Sequence, residues 1–320
     1  MLFISVGLKI TIIVISSLLV AGLLFSICLT MYIAYRVFKG SLVRANKEKW
    51  GRCCSDSSVS EHLDMFNKGL IWGKENKEYK QDVHIMNDNL NLYGEFYDFG
   101  YKKSVIILPG RCESLLYSYY YAFPYKDSGY NVLVIDTRAH GNSDGKYNTV
   151  GIKEGLDLIK WMEFLHDKKG QESICLHCIC VGGSTALNAY INKNCPKYVS
   201  KIIFDGLFYS FKETYANHMK DLGHCLFPVF YEVWIWFYLF NHVSVNKSYP
   251  YKQIGKVDIP VLFIFGKEDK FSLPYRSEQL INACKSNDKT VKWFEKGTHS
   301  HLRYFNTDEY DQTIKDFVTK

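Results

Sequence analysis

The 320-residue sequence lacks any run of lysine and arginine with interleaved aromatic residues, although its net charge is +6. Such runs form the grooves that bind nucleic acid, so we expect no nucleic-acid partner. Ten cysteines in a chain of this length are also too few for a disulfide scaffold. Cys28, Cys175 and Cys284 lie in apolar runs, where cysteine behaves as a small hydrophobic residue. Their placement favours a reducing compartment.

Charge is absent from Ile10 to Tyr35, a run dominated by isoleucine, leucine, valine and alanine. As a helix this run is about 39 Å long, enough to cross a hydrocarbon core of about 30 Å. The residues just before Cys28 match neither a signal-peptidase site nor a lipoprotein box. We therefore predict an uncleaved single-pass membrane anchor over residues 1–36; the alternative is a long core helix.

Basic residues are concentrated on one side of this run. Only Lys9 precedes it, whereas six basic residues follow: Arg36, Lys39, Arg44, Lys47, Lys49 and Arg52. The positive-inside bias places the large domain on the cytoplasmic side. Residues 37–78 are charged and mixed, with an amphipathic stretch near His62, and are predicted to be a linker and a leading helix.

The remainder, residues 79–320, is predicted to be one α/β domain. Residues 80–97 alternate polar and apolar around a turn at 87–89, as an antiparallel hairpin does. Continuous apolar runs, typical of strands buried on both faces of a parallel sheet, follow at 104–108, 131–136, 174–180, 201–205 and 261–265, with a last strand at 290–295. Helical patterns separate them, including 152–166 and 275–284. This alternation predicts a mostly parallel sheet with helices on both faces.

Residues 208–255 interrupt the alternation and are rich in aromatic side chains. From Leu226 to Val245 the chain is almost wholly apolar apart from Glu232, so its length would allow a second membrane span. That span would place Cys180 and His299 on opposite sides of the bilayer, although these two residues are candidates for one catalytic site. We therefore predict a helical lid over a lipophilic pocket, with a surface that touches the membrane interface.

Five sequence blocks occur in a fixed order. They are Gly110-Arg111-Cys112-Glu113-Ser114 after Pro109, the ten residues from Asp136 to Gly145, Cys178-Ile179-Cys180-Val181-Gly182, Gly266-Lys267-Glu268-Asp269 with Leu273-Pro274, and Gly297-Thr298-His299-Ser300. Together they resemble the α/β-hydrolase superfamily, in particular the lysophospholipase and monoacylglycerol-lipase-like branch that is also described as serine aminopeptidase S33 type. The third block is similar to the nucleophile elbow G-x-S-x-G, with Cys180 for the serine and Cys178 for the first glycine.

The resemblance implies a catalytic triad. Cys180 would be the nucleophile at a helix N-terminus, which stabilises a thiolate; Cys178 fits the elbow less well. His299 would be the base, with His301 as a second candidate. Asp269 would be the acid, with Asp205 as its competitor. The order nucleophile, acid, base is the one that this fold requires.

The resemblance also assigns the residues around the triad. The backbone N–H groups of Arg111 and Val181 would form the oxyanion hole. Glu113 would hold the first loop, and His140 would be structural. Cys180 also belongs to a dense group with Cys175, His177 and Cys178, but side chains alternate along a strand, so these residues cannot surround one metal ion. We expect no metal and no cofactor.

The sequence therefore predicts a membrane-anchored hydrolase that cleaves an ester or a thioester of a lipid-like acyl group through a Cys-His-Asp triad and an acyl-enzyme. A peptidase of the S33 type is one alternative. Another is a catalytically silent hydrolase fold that binds or senses a ligand, with Cys180 an inert buried cysteine. The intact Asp269 and His299 argue against the silent form.

Overall fold

The computed structural model describes residues 6–320. Its strands are β1 Lys80–Asn87, β2 Leu90–Tyr97, β3 Lys103–Leu108, β4 Asn131–Ile135, β5 Ser173–Ile179, β6 Val199–Asp205, β7 Val261–Gly266 and β8 Lys289–Phe294. Its α-helices are α1 Val6–Leu42, α2 Ser60–Glu75, α3 Leu115–Ser118, α4 Phe123–Asp127, α5 Ile152–Lys169, α6 Val181–Tyr190, α7 Phe211–Asp221, α8 Val229–Asn241, α9 Pro250–Gln253, α10 Pro274–Ala283, α11 Leu302–Phe305 and α12 Thr307–Thr319. Single 3₁₀ turns occupy Lys77–Tyr79, Tyr119–Tyr121, Val245–Lys247 and Ile254–Lys256.

Within these residues the strands form one eight-stranded sheet in the order β1-β2-β4-β3-β5-β6-β7-β8. The predicted hairpin is confirmed: β1 and β2 pair antiparallel, and the turn residues Asp88 and Asn89 have φ values of 51° and 59°. β2 is also antiparallel to β4, and from β4 onward all pairs are parallel. The prediction of a mostly parallel α/β sheet is confirmed.

Helices cover both faces of the sheet, and β5 shows the separation. Residues of α5, α6 and α10 pack on one face with Leu176 and Cys178, while residues of α2, α4 and α12 pack on the other with Cys175. His177 shares the face of Cys175, because its two ring nitrogens lie 2.9 Å and 3.0 Å from the hydroxyls of Tyr125 and Tyr310. Burial lowers the pKa of His177 to about 3, so its ring is neutral. The sheet itself therefore separates Cys175 and His177 from Cys178.

The helix α1 extends beyond the predicted anchor and continues without a break to Leu42. The boundary between anchor and linker at residue 36 stays a prediction and lies inside this helix; residues 1–5 of the predicted anchor lie outside the described residues. Its apolar part is long enough to cross a membrane, with a mean hydropathy of 2.8 over an 18-residue stretch that is entirely exposed. Only its last turns are buried, at Ala34, Phe38 and Leu42. These residues recur every four positions, and so they form one face that packs on the domain.

The partner of that face is the predicted lid. The Trp236 indole N–H donates to the Met31 carbonyl at 2.9 Å, and the ring of Phe38 stacks on Phe240 with centroids 5.5 Å apart. The helix that carries both aromatic residues, α8, has 13 residues. At about 1.5 Å per residue it is about 20 Å long, too short to cross a bilayer. It packs alongside the C-terminal part of α1.

Candidate active site

The turn after β5 has the geometry of a strained elbow. Cys180 has φ 50° and ψ −109°, outside the regions that non-glycine residues normally occupy. Its N–H donates to the Asp205 carbonyl at 2.9 Å, which ties the turn to the end of β6. A Cβ atom on Gly182 would lie 2.7 Å from the Leu108 carbonyl oxygen, so only glycine fits two places after Cys180. The turn places Cys180 at the carboxyl edge of the sheet.

Asp269 lies in the turn after β7 and holds the candidate base. Its Oδ1 accepts hydrogen bonds from the backbone N–H groups of Phe271 at 2.7 Å and Ser272 at 2.8 Å. Its Oδ2 lies 2.7 Å from Nδ1 of His299. Burial alone would raise the pKa of this carboxyl, but the charge and hydrogen bond of His299 outweigh burial and lower it. Asp269 is therefore ionised and fixed toward the imidazole.

His299 follows β8 and faces the elbow. Burial would lower the pKa of His299, yet the negative charge of Asp269 and the nearby thiol group of Cys180 together raise it well above its ordinary value. Its Nε2 is buried and has no hydrogen-bond partner of normal geometry among the described residues. This nitrogen is free to exchange a proton with a group bound at Cys180.

A further contact to the imidazole comes from Gly206, which the sequence reasoning did not identify. Gly206 has φ +66°, and a Cβ atom there would lie 3.0 Å from Cε1 of His299. Its carbonyl accepts a hydrogen bond of 2.7 Å from the Ser272 hydroxyl, in the same turn as Asp269. The sequence feature that could have identified Gly206 is its position directly after the strand that ends at Asp205. Only glycine at this position lets the imidazole of His299 approach the backbone.

The competing candidates have other partners. Asp205 accepts a hydrogen bond of 2.7 Å from the Tyr310 hydroxyl, and burial raises its pKa to about 7. His301 stacks on His62 with ring centroids 4.5 Å apart, and its Nδ1 lies 3.2 Å from the Thr298 hydroxyl. Nδ1 of His299 donates its hydrogen bond to Asp269, not to Asp205.

The loop after β3 carries the first candidate oxyanion donor. The Gly110 N–H donates to Oε2 of Glu113 at 2.9 Å, and Nε2 of His140 lies 2.7 Å from the Arg111 carbonyl. Both predicted structural residues therefore hold this loop. Within residues 6–320, no acceptor engages the backbone N–H of Arg111 or of Val181. These two groups are available to a ligand at the elbow.

These elements surround a cavity of about 490 Å³ that contains Cys180 and His299. Apolar and aromatic walls come from the start of α6, from α7 and from the loops after β6 and β7: Val181, Phe208, Phe211, Tyr215 and Phe271. Polar groups line another part: His62, Glu113, Lys270 and His301. His62 comes from α2 and was not anticipated as a cavity residue. A larger groove of about 710 Å³, near Arg138 and Tyr147, contains none of the triad residues.

Comparison with known proteins identifies the fold. An α/β-hydrolase-fold family model matches residues 103–221, and a serine hydrolase (FSH1) family model matches residues 232–301. An uncharacterized Bacillus subtilis protein, YqkD, is 28% identical over 217 residues, which cover 67% of this chain and 70% of that protein. An uncharacterized membrane protein of Saccharomyces cerevisiae is 23% identical over 194 residues, which cover 61% of this chain and 62% of the yeast protein.

Among solved structures, an esterase of Pyrococcus furiosus superposes with a TM-score of 0.61. The sequences are 24% identical, and the match covers 77% of this chain and 94% of the esterase. The sheet order, the elbow between β5 and α6 and the family matches agree. The chain therefore has the α/β-hydrolase fold.

Proposed function

We propose that the protein is a membrane-anchored hydrolase that cleaves an ester or a thioester by nucleophilic catalysis from Cys180. One observation carries this proposal: the ion pair between Asp269 and His299, 2.7 Å long, leaves Nε2 of His299 unpartnered beside an elbow cysteine. A protonated imidazole next to a sulfur atom is the arrangement that stabilises a thiolate nucleophile. The charge of Asp269 keeps that proton on His299 to a higher pH than usual.

In the acylation step the Cys180 thiolate adds to the acyl carbon, and the carbonyl oxygen becomes an oxyanion. The N–H groups of Arg111 and Val181 would accept this charge; such a donor is typically worth about 3 kcal/mol in the transition state. The intermediate then expels an alcohol or a thiol. His299 gives its proton from Nε2 to that leaving group, and an acyl-thioenzyme remains.

In the deacylation step the sulfur no longer carries a negative charge. One of the two contributions that raise the pKa of His299 is thereby removed, so its neutral form becomes available as a base. The neutral ring takes a proton from water, and the hydroxide adds to the thioester carbon. Collapse of this second intermediate releases the carboxylic acid and restores the Cys180 thiolate beside protonated His299.

A lipid-like acyl substrate is supported by the lid and the anchor. Phe211 and Tyr215 of α7 line the cavity, and α8 lies against the end of α1. Phe227, just before α8, is 77% exposed, and the exposed side chains of Ile235 and Leu239 continue an apolar surface along that helix. A membrane at the level of this surface would present acyl chains next to the cavity.

Turnover by the full-length protein in mild detergent tests the chemistry. Short-chain and long-chain p-nitrophenyl esters and the matching thioesters are the substrates. We expect Cys180→Ala and His299→Ala to abolish turnover, Cys180→Ser to retain a measurable part of it, and Cys195→Ala, a partly buried cysteine outside the cavity, to change nothing. Turnover that survives Cys180→Ala would refute the proposal. If the wild type hydrolyses none of these substrates, the result would favour the alternative of a catalytically silent hydrolase fold that binds a ligand.

The lipid preference has a separate test. We expect Phe227→Ser to raise the KM for a long-chain ester in phospholipid vesicles several-fold while the kinetics on a soluble ester stay the same. The control is Met86→Ser, which removes an apolar side chain with 64% exposure from β1. Equal KM changes in both variants would exclude a specific role of the lid surface.

A further inference from the structure

Groups of the catalytic domain cap the last turn of α1. The final carbonyls of a helix have no partner inside the helix and carry partial negative charge. Nη1 of Arg111 donates to the Ser41 carbonyl at 3.1 Å, and the Asn148 N–H donates to the Leu42 carbonyl at 3.0 Å. Lys49 donates to the Gly40 carbonyl at 2.6 Å. The end of the candidate anchor is thus bound to the domain by charged and neutral hydrogen bonds.

Two of these capping residues are also connected with the loop after β3. Arg111 belongs to this loop, and Asn148 binds it. Nδ2 of Asn148 donates to the Arg111 carbonyl at 2.9 Å, and the His140 ring lies beside the same carbonyl. Burial lowers the pKa of His140, so its ring is neutral and has one N–H. Nε2 of His140 lies 2.7 Å from the Arg111 carbonyl, and Nδ1 lies 2.9 Å from the Arg138 carbonyl and 3.1 Å from the Thr137 hydroxyl, so the single N–H can serve only one of the two carbonyls. The Arg111 carbonyl is held by the hydrogen bond from Asn148 and by the adjacent His140 ring, while the Arg111 N–H stays unengaged.

The chain that follows α1 holds the loop of His140 from the outside. The Trp50 ring stacks on the His140 ring with centroids 4.7 Å apart and planes at 13°. The Gly141 N–H donates to the Trp50 carbonyl at 2.8 Å, and the Arg44 guanidinium donates to the Gly141 carbonyl at 2.7 Å. The end of α1 therefore contacts the candidate oxyanion loop directly, and the segment that follows α1 reaches the loop through His140.

From these contacts we infer that the C-terminal end of α1 and residues 43–52 position the oxyanion loop, with the Arg111 side chain as the direct link. An oxyanion donor is effective only when it is oriented before the reaction, because reorientation costs free energy in the transition state. The anchor would then serve catalysis as well as membrane attachment. The inference rests on the proposed hydrolase function, and it adds a role for residues outside the hydrolase domain.

Arg111→Met in the full-length protein tests this link, because it removes the guanidinium and keeps the backbone N–H. Complete loss of an oxyanion donor costs about 10²- to 10³-fold in kcat, so a displaced donor should cost about tenfold. We expect that fall in kcat on a soluble ester, with KM within about twofold, and partial recovery in Arg111→Lys. The matched control is Arg36→Met, which removes a cation from α1 whose side-chain hydrogen bond stays within the helix, to the Tyr32 hydroxyl.

Hydrogen exchange provides a readout that does not need turnover. We expect the amides of residues 112–116 to exchange faster in Arg111→Met than in the wild type and in Arg36→Met, while iodoacetamide alkylates Cys180 at an unchanged rate. Equal exchange and equal kcat in the two methionine variants would overturn the inference. A higher KM at unchanged kcat would also overturn it, because the guanidinium would then bind substrate. If the wild type hydrolyses nothing, the hydrolase proposal fails and the exchange rates alone decide the positioning role.

Discussion

Asp269→Asn changes one atom of the candidate triad, and the structure fixes the orientation of the new amide. Oδ1 of Asp269 already accepts two backbone N–H groups, from Phe271 and Ser272. An amide nitrogen at that position would face two donors, so the asparagine oxygen must stay there. Its NH₂ group must then point at Nδ1 of His299, where the carboxylate oxygen was. The imidazole can meet a donor only if Nδ1 becomes the acceptor, which moves its proton to Nε2.

This tautomer is unable to act as a base toward the elbow. A proton on Nε2 faces Cys180, and no lone pair remains there to take a proton from water. Tautomer reversal of this kind lowers kcat by about 10⁴-fold in serine proteases. A thiolate–imidazolium pair needs His299 as a base chiefly in deacylation. We therefore expect kcat to fall by about 10³-fold, which corresponds to about 4 kcal/mol in the activation free energy. The His299 pKa also loses the contribution from Asp269, so the pH-rate limb governed by this ring moves to lower pH.

The assay is steady-state hydrolysis of a soluble thioester from pH 5 to pH 9, with Asp205→Asn as the matched control. Asp205, the last residue of β6, also lies near the elbow, but its Oδ2 accepts a hydrogen bond from the Tyr310 hydroxyl. We expect the control to keep kcat within about tenfold of the wild type. An Asp269→Asn enzyme within tenfold of the wild type would refute the tautomer argument. A large loss in Asp205→Asn alone would transfer the role of the acid to that residue.

Three further predictions concern the elbow, a buried carboxyl and the membrane. Gly182→Ala forces a Cβ atom to 2.7 Å from the Leu108 carbonyl, so we expect a loss of about 1–3 kcal/mol in stability and a lower Tm; an unchanged Tm contradicts the elbow packing. The pKa of Asp205, about 7 in the folded protein, exceeds its unfolded value of 3.8, so the stability that it contributes below pH 4 is lost as the pH rises to about 7. The Tm of Asp205→Asn relative to the wild type should therefore rise between pH 5 and pH 8, and a pH-independent difference contradicts this. Cys53 is exposed and follows α1, so an impermeant maleimide should label it only after the cells are permeabilised; labelling in intact cells contradicts the cytoplasmic orientation.

Local sequence patterns determined most of the fold. The turn residues Asp88 and Asn89 and the apolar runs of the parallel strands depend on backbone preference and on burial of both faces, which neighbouring residues express directly. The order of Cys180, Asp269 and His299 along the chain likewise follows from the fold class. The continuation of α1 to Leu42 was not predicted, because burial of Phe38 against Phe240 is a tertiary contact that the hydropathy of the helix does not reveal.

Contacts between distant segments decided the geometry of the candidate site. The choice of Asp269 over Asp205 depends on which carboxylate reaches Nδ1 of His299, and that is set by the turns after two neighbouring strands. The proximity of Gly206 to the imidazole and of Ser41 to Arg111 has the same origin. The sequence by itself determined the strands, the elbow and the order of the chemical groups, because these depend on local periodicity and steric limits. Only the tertiary structure decided which groups meet, because hydrogen bonds between remote loops depend on how the whole chain packs.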